Sequence, residues 1–449
     1  MMSRAVRLRR LLTASLTAGM FLLTASAGAA QSGITVTVQD NYQADYGVTI
    51  PFTRSPRTTD YTFSLYEGGS AAGTPAVSAK VEMTAAQGDV YLPLAYDITG
   101  PQSYTLKIEA RPLPGRIGTD TAAAREFSFT TKPTCGCASG TAGAFYRGSG
   151  SAADPFYVGS QQQLAHVGAH SAANIYQDRD IALSGNWTPI GSQSAPFMGT
   201  YNGGGHRITG LNISGDNHGG LFGYINQATI QRLGIETTGV ISGTEAVGSF
   251  SGVANNSNLI SCYAVAQVRS TATSGWPVLG GLIGSNTACL IEDSYFAGSL
   301  QCTDGSVNVR WSGGLCGIAR ELSTVRRTWN IVEYSIGSAS LGPNRRMVGG
   351  VAGDVSSGSG SECRPGQLGA SNNYWSASGS GGPTYAVANS ANDMNYDSGV
   401  NTGCTQISSF SSLPADFDPS VWEMGTVTVP TLSGGSKTVA APVLKVFQS

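Results

Sequence analysis

Charge is scarce in this chain: 12% of its 449 residues are Asp, Glu, Lys or Arg, and the formal net charge at neutral pH is −2. No lysine occurs between positions 133 and 436. Nucleic-acid proteins carry a broad basic footprint, so that partner class is excluded. Histidine is rare too, with four copies, and there is no His-Glu-x-x-His, no Gly-x-Ser-x-Gly elbow and no phosphate loop. The ready-made signatures of zinc proteases, serine hydrolases and nucleotide enzymes are therefore missing, and no motif implies a cofactor or a metal. Beyond the first thirty residues no apolar run approaches the roughly 20 residues of a membrane span. Glycine, at 60 residues, is the abundant type. It lacks the triplet period of collagen, and regularly spaced apolar residues between the glycines argue against disorder.

Arg4, Arg7, Arg9 and Arg10 precede a mostly apolar run over 11–25, and small residues fill 25–30. This pattern predicts a secretory signal peptide over 1–30, cut after Ala27, Ala29 or Ala30. No cysteine sits at the cleavage site, which argues against a lipoprotein. The expected location is extracellular or at a bacterial cell surface. The eight cysteines are Cys135, Cys137, Cys262, Cys289, Cys302, Cys316, Cys363 and Cys404. In an exported chain an even count points to disulfides, with the connectivity left open. Cys135 and Cys137 also have the spacing of a redox or metal pair, but no second such pair and no nearby His support that, and disulfides are the preferred reading. The equal steps from Cys262 to Cys289 to Cys316 fall at different points of the repeat described next.

Residues 31–132 read as an all-β domain. "ITVTVQ" (34–39), "YTFSLYE" (61–67), "AKVEMT" (79–84), "YTLKIEA" (104–110) and "REFSFTT" (125–131) alternate apolar and polar residues between Gly, Pro and Asp turns. That spacing predicts an immunoglobulin-like β-sandwich, a class statement only, since no Cys-Trp-Cys signature accompanies it. Residues 133–153 have the small, Gly-rich character of a linker. One short helix is expected over 161–168, with Ser160 as its N-cap.

Five phrases then recur: "GGLFG" from Gly219, "GSFSG" from Gly248, "GGLIG" from Gly280, "GGLCG" from Gly313 and "GGVAG" from Gly349. Their last glycines, Gly223, Gly252, Gly284, Gly317 and Gly353, repeat at a drifting period of about thirty residues, the sign of a solenoid or propeller. A propeller blade needs about four strands in roughly 40 residues, and these units offer two. Each unit therefore reads as one coil of a parallel β-helix with glycines at the φ > 0 corners. Ile230, Leu259, Ile291 and Val325 should stack as an inward ladder, and Tyr263, Tyr295 and Trp329 as an aromatic one. One coil cannot bury its own apolar face, and a stack of coils can.

The Gly-Leu-x-Gly cores at Gly220–Gly223, Gly281–Gly284 and Gly314–Gly317 resemble the GLUG-motif family of bacterial exported proteins. The lead-in segments 154–168, 186–191 and 197–213, the "NNYW" at 372–375 and the tail from Val421 and Trp422 extend the likeness over 154–449. The resemblance implies a right-handed parallel β-helix over 154–375, followed by a C-terminal end and tail over 376–449. It also implies adhesin-like surface architecture, with no shared chemistry. The motif also occurs beside a zinc metallopeptidase that cleaves IgA. Here the nearest match to that enzyme's motif is "HVGAH" (166–170), where Val167 replaces the catalytic Glu, and no metal is expected.

Glycosidases place two carboxylates about 5 to 10 Å apart across one sugar. Glu292 and Asp293 are neighbours on a strand and should point to opposite faces, while Asp304, Glu333 and Asp354 share no repeat register. The densest binding chemistry lies around the fourth coil. Arg310, Trp311, Arg320, Arg327, Trp329 and Arg346 could hold an anionic glycan or a protein through guanidinium bonding and stacking. The competing and favoured reading places Trp329 in the aromatic ladder and the arginines on a solvated face, because Arg326 and Arg327 cannot both face out of a regular strand. The expected function is non-enzymatic binding of a cell-surface or matrix glycan or protein. The alternatives are a polysaccharide lyase or hydrolase, and a self-associating fibre subunit whose 34–39 strand pairs with a neighbour.

Overall fold

A computed structural model describes residues 34–38, 43–44, 47–93, 102–302, 310–320, 323–337, 346–355, 369–388, 399–401 and 403–448. The leader 1–30 lies outside these residues. The chain is all-β and divides into two compact units, residues 1–149 and 150–449.

The first unit holds two antiparallel sheets. In one, Gly47–Thr53 pairs with Gln87–Pro93, Thr37–Val38 and Gln43–Ala44. The other runs Val77–Glu82, Asp60–Glu67, Ser103–Ala110, Ala123–Thr130. Period-two alternation sends Val48, Ile50 and Phe52 from one sheet, and Tyr61, Phe63, Leu65, Leu106 and Ile108 from the other, into a single core. Residues 34–38 are part of this unit: Thr37 and Val38 pair with Thr53 and Phe52, and Val36 is buried. Residues 134–146 fold onto the same core through Ala144 and Tyr146, with Thr134 N donating to Phe145 O at 2.7 Å.

The second unit is a stack of coils, each contributing to two large sheets whose strands run parallel except for the last pair, Tyr385–Ala388 with Gly399–Val400. The helix forms over Gln161–His166 and continues as a 3₁₀ turn over Val167–His170, and Ser160 accepts from Gln163 N at 3.2 Å as its cap. Ile230, Leu259, Ile291 and Val325 are successive register partners, all buried. Leu221, Leu282 and Leu315, the Leu of each Gly-Leu-x-Gly core, are fully buried as well. A hairpin of Trp422–Pro430 and Ser436–Leu444 closes the chain.

The corners correct the expectation about glycine. None of Gly223, Gly252, Gly284, Gly317 or Gly353 has positive φ. The left-handed corner instead falls on Arg232, Ser261, Asp293, Arg327 and Asn372, each one residue past the register partners Gln231, Ile260, Glu292, Arg326 and Ser371. The motif glycines serve close approach. A Cβ on Gly281 would run into the Gly314 carbonyl of the next coil and the Phe296 ring, and one on Gly314 would meet the Gly350 carbonyl and Asn330. We therefore expect Gly281→Ala to destabilise the protein by about 1–3 kcal/mol through overpacking. Ser261→Gly, which relieves a left-handed corner, should stay within about 1 kcal/mol of the parent. Urea unfolding of both variants checks this, and the reverse order would refute the close-approach account.

Candidate functional site

The aromatic ladder forms on the outer side of one sheet. Tyr263, Tyr295, Trp329 and Tyr374 are register partners. The first three rings stack at 4.8 and 4.4 Å with interplanar angles of 13° and 8°. The C-terminal hairpin and the segment before it cover this column with Phe410, Phe417, Trp422, Val427, Val429 and Val443. Trp329 is fully buried, and its Nε1 donates to Pro442 O at 2.9 Å. Its ring is thus closed to a ligand, which corrects its inclusion in a binding patch.

Alternation also fails at the corner. Asp293 and Arg327 adopt φ of 45° and 51°, so Glu292 and Asp293 do not point apart. Both carboxylates reach one guanidinium: Arg327 Nε and an Nη meet Asp293 Oδ1 and Oδ2 at 2.8 and 2.9 Å, and the same Nη contacts Glu292 Oε1. Arg326 Nε adds a bond to Glu292 Oε1 at 2.7 Å, and Trp422 Nε1 donates to Asp293 Oδ1 at 3.2 Å. Hydrogen bonds to Asp293 hold the Arg327 guanidinium protonated far above its ordinary range. The pair of carboxylates is consumed by arginine and ties coil to coil and hairpin to coil.

Cys262 and Cys289 are corner residues, whereas Cys302, Cys316 and Cys404 lie in strands. Cys289 Sγ donates to Thr287 O at 3.3 Å, as Ser257 Oγ of the preceding coil donates to Asn255 O, while Ser323 Oγ of the next coil reaches the Arg320 carbonyl three residues back. Cys262 Sγ and Ser294 Oγ bond the Ile260 and Glu292 carbonyls in the same way. Cysteine here stands in for serine in a turn that bonds the carbonyl two residues back. Cys262, Cys289, Cys316 and Cys404 carry free thiols, which corrects the disulfide expectation for these four. Burial pushes the first three up to about 12, 11 and 12, and Cys404 up to about 11, so they stay protonated at neutral pH. Cys135 and Cys137 are half-buried and joined by a side-chain hydrogen bond. Cys302 is buried at the end of its strand, and Cys363 lies outside the described residues.

The remaining predicted residues are divided between the sheets. Arg310 pairs in register with Arg346, and Trp311 with Met347, on the second sheet, away from Arg327 and Trp329 on the first. Arg320 ends the strand Cys316–Arg320, half-buried. On the outer face of that second sheet stand His218, Ala246, Val278 and Trp311 in one register column, and Tyr224, Val253 and Ile318 in another. Trp276, 59% exposed, stacks on Trp311 with centroids 5.6 Å apart and planes at 22°. Sequence reasoning missed Trp276, which sits in a Gly-Trp-Pro turn outside the repeat; an unregistered aromatic between two coils was the available signal. His218 Nε2 lies 3.0 Å from the Tyr224 hydroxyl and 3.2 Å from Glu245 Oε2, and burial lowers its pKa.

A cleft of about 860 Å³ opens between the hairpin and the first sheet. Arg207, Glu236 and Tyr263 meet in it: Arg207 Nε bonds Glu236 Oε1 at 3.1 Å and the Tyr263 hydroxyl at 2.8 Å, and Tyr263 donates to Glu236. Burial, reinforced by Glu236, raises the Tyr263 pKa far above its usual value, so the phenol remains a donor. Thr209, Thr237, Thr426, Thr428 and Ser436 supply hydroxyls along the walls.

No family model matches the chain. A segment of 165 residues is 30% identical to halomucin of Haloquadratum walsbyi, covering 32% of this chain and 2% of halomucin. Among solved structures, an IgA1 protease aligns over 85% of this chain and 30% of its own, at 13% identity and a TM-score of 0.37. Among the described residues no helix is long and apolar enough to cross a membrane.

Two outcomes follow. Trp329→Ala should cost about 3–5 kcal/mol in thermal or urea unfolding, as a cavity under the hairpin; a loss under 1 kcal/mol would show that the hairpin does not lean on the ladder. Thiol labelling of the folded chain should leave Cys262, Cys289 and Cys316 unmodified until denaturant is added, and mass spectrometry without reductant should find no bridge among them.

Proposed function

We propose that this chain is an exported bacterial surface or matrix protein, adhesin-like and non-catalytic, that binds glycan on the open face of its solenoid. In this reading the leader 1–30 is removed on export, the first unit is an immunoglobulin-like sandwich, and the coils belong to the GLUG type as a right-handed parallel β-helix. The observation that carries the binding role is the Trp276–Trp311 stack. The other ladder aromatics lie beneath the hairpin, whereas this pair offers an exposed indole backed by a second ring. The apolar C–H face of a pyranose packs on such a surface, whose electron-rich π cloud faces the positive C–H edge. A rigid stack of coils keeps the platform and the neighbouring face in fixed spacing, which suits an extended ligand better than a single deep pocket.

The non-catalytic assignment draws on the carboxylates. Glu292 and Asp293 are held by Arg326 and Arg327, Glu236 by Arg207 and Tyr263, and Glu333 accepts from Leu432 N at 2.8 Å. A glycoside hydrolase needs one such group free to protonate a leaving group and another free to attack or activate water.

A glycan array of the full chain, run beside a reducing-sugar release assay, tests this. Binding without sugar release is expected, and Trp276→Ala should weaken the array signal at least about tenfold, a little under the loss of a typical Trp anchor. Sugar release would overturn the non-catalytic assignment. Unchanged binding in a Trp276→Ala/Trp311→Ala double variant would remove the platform from it.

A further inference from the structure

The short helix that opens the second unit carries two of the chain's four histidines. His166 ends Gln161–His166, and His170 ends the 3₁₀ turn Val167–His170 that continues it. Residues four apart lie on one helical face. The rings use that placement: His166 Nε2 and His170 Nε2 face each other at 3.2 Å, with centroids 5.0 Å apart. Phe156, on the first strand of this unit, holds His170 from the side with its ring edge-on at 5.4 Å. Ser160 caps the helix, and Gln163, buried, accepts from Gly159 N at 3.0 Å, so the start of the helix that carries the rings is fixed.

We propose that His166 and His170 bind a divalent zinc-class cation through their facing Nε2 atoms. Two nitrogens on one tetrahedral zinc, each at about 2.0–2.1 Å, stand about 3.3–3.4 Å apart, so the observed separation is an edge of that tetrahedron to within about 0.2 Å. An imidazole pair suits zinc, copper or nickel and not calcium or magnesium, which take oxygen. Both rings are half-buried. The pair supplies two ligands, and the remaining positions go to water or to donors outside this helix. Val167 occupies the place of the glutamate that a zinc peptidase would use as base, so the ion's role is to bind and fasten, not to hydrolyse. This inference is independent of the glycan platform on the later coils.

The full chain, stripped with EDTA and dialysed, would be titrated with zinc alone by calorimetry, with bound metal counted by mass spectrometry. Zinc should bind the parent and raise its unfolding temperature, because an ion that binds only the folded form stabilises it. His166→Gln and His170→Gln keep helix propensity and should each lower zinc affinity at least about tenfold, the lower end of losses around metal sites. Cobalt as a spectroscopic stand-in should give a visible ligand-field band in the parent and lose it in the double variant. Circular dichroism confirms that the variants are folded. No zinc uptake by the parent would leave a plain imidazole–imidazole hydrogen bond and overturn the proposal. So would unchanged affinity in the His166→Gln/His170→Gln variant, including the case where zinc is lost only in Cys135→Ser/Cys137→Ser.

Discussion

The second unit depends on one constraint: consecutive coils must hydrogen-bond in parallel register at strand spacing, about 4.8 Å. Every other feature of that unit follows from how little room this leaves. Glycines at the motif positions are where one coil's backbone presses on the next, so that a single added methyl meets a carbonyl oxygen or an aromatic ring. Side chains of like size then fall on top of one another. Ile230, Leu259, Ile291 and Val325 fill the interior, and Tyr263, Tyr295 and Trp329 stack outside it. Register also explains the polar corners, where serine and cysteine take the same hydrogen-bonding role.

The two outer faces of the stack are treated differently. One is sealed: the hairpin Trp422–Pro430 and Ser436–Leu444 lays Trp422, Val427, Val429 and Val443 over the aromatic column. The arginine–carboxylate cluster of Glu292, Asp293, Arg326 and Arg327 sits at its edge and reaches Trp422. Charge is scarce in the chain, and here it is spent on joining coils to one another and to the hairpin. The other face carries the buried Ala246, Val278 and Ile318, the half-buried Val253 and Trp311, and the exposed Trp276. There one indole, Trp276, stands in water on the half-buried ring of Trp311.

Much of this was legible in the residues. The repeat period, the inward ladder and the presence of an aromatic ladder could all be read from spacing, because stacking forces equivalent positions to carry equivalent side chains. The helix and its Ser160 cap were legible for a local reason, since a cap is an interaction within four residues. What spacing could not tell was which way the chain turns at a corner. Simple alternation sends Glu292 and Asp293 to opposite sides. One left-handed residue cancels that rule and brings both to Arg327. The glycines were correctly singled out but for the wrong physical reason: they serve proximity between coils, and Arg232, Ser261 and Asn372 take the strained backbone.

The sequence by itself determined that the second unit stacks, because an apolar pattern repeated at coil length has no other way to leave water. It also determined most of each ladder, though not that Tyr374 continues the aromatic one, and that charge is scarce. Only the tertiary structure decided which surface remains open. Nothing in the order of residues says that the last hairpin returns to cover Trp329, nor that Trp276, between two repeats, lands on Trp311. Both depend on contacts between segments 35 to over 100 residues apart. Contacts at that range are set by packing, after the local pattern has done its part.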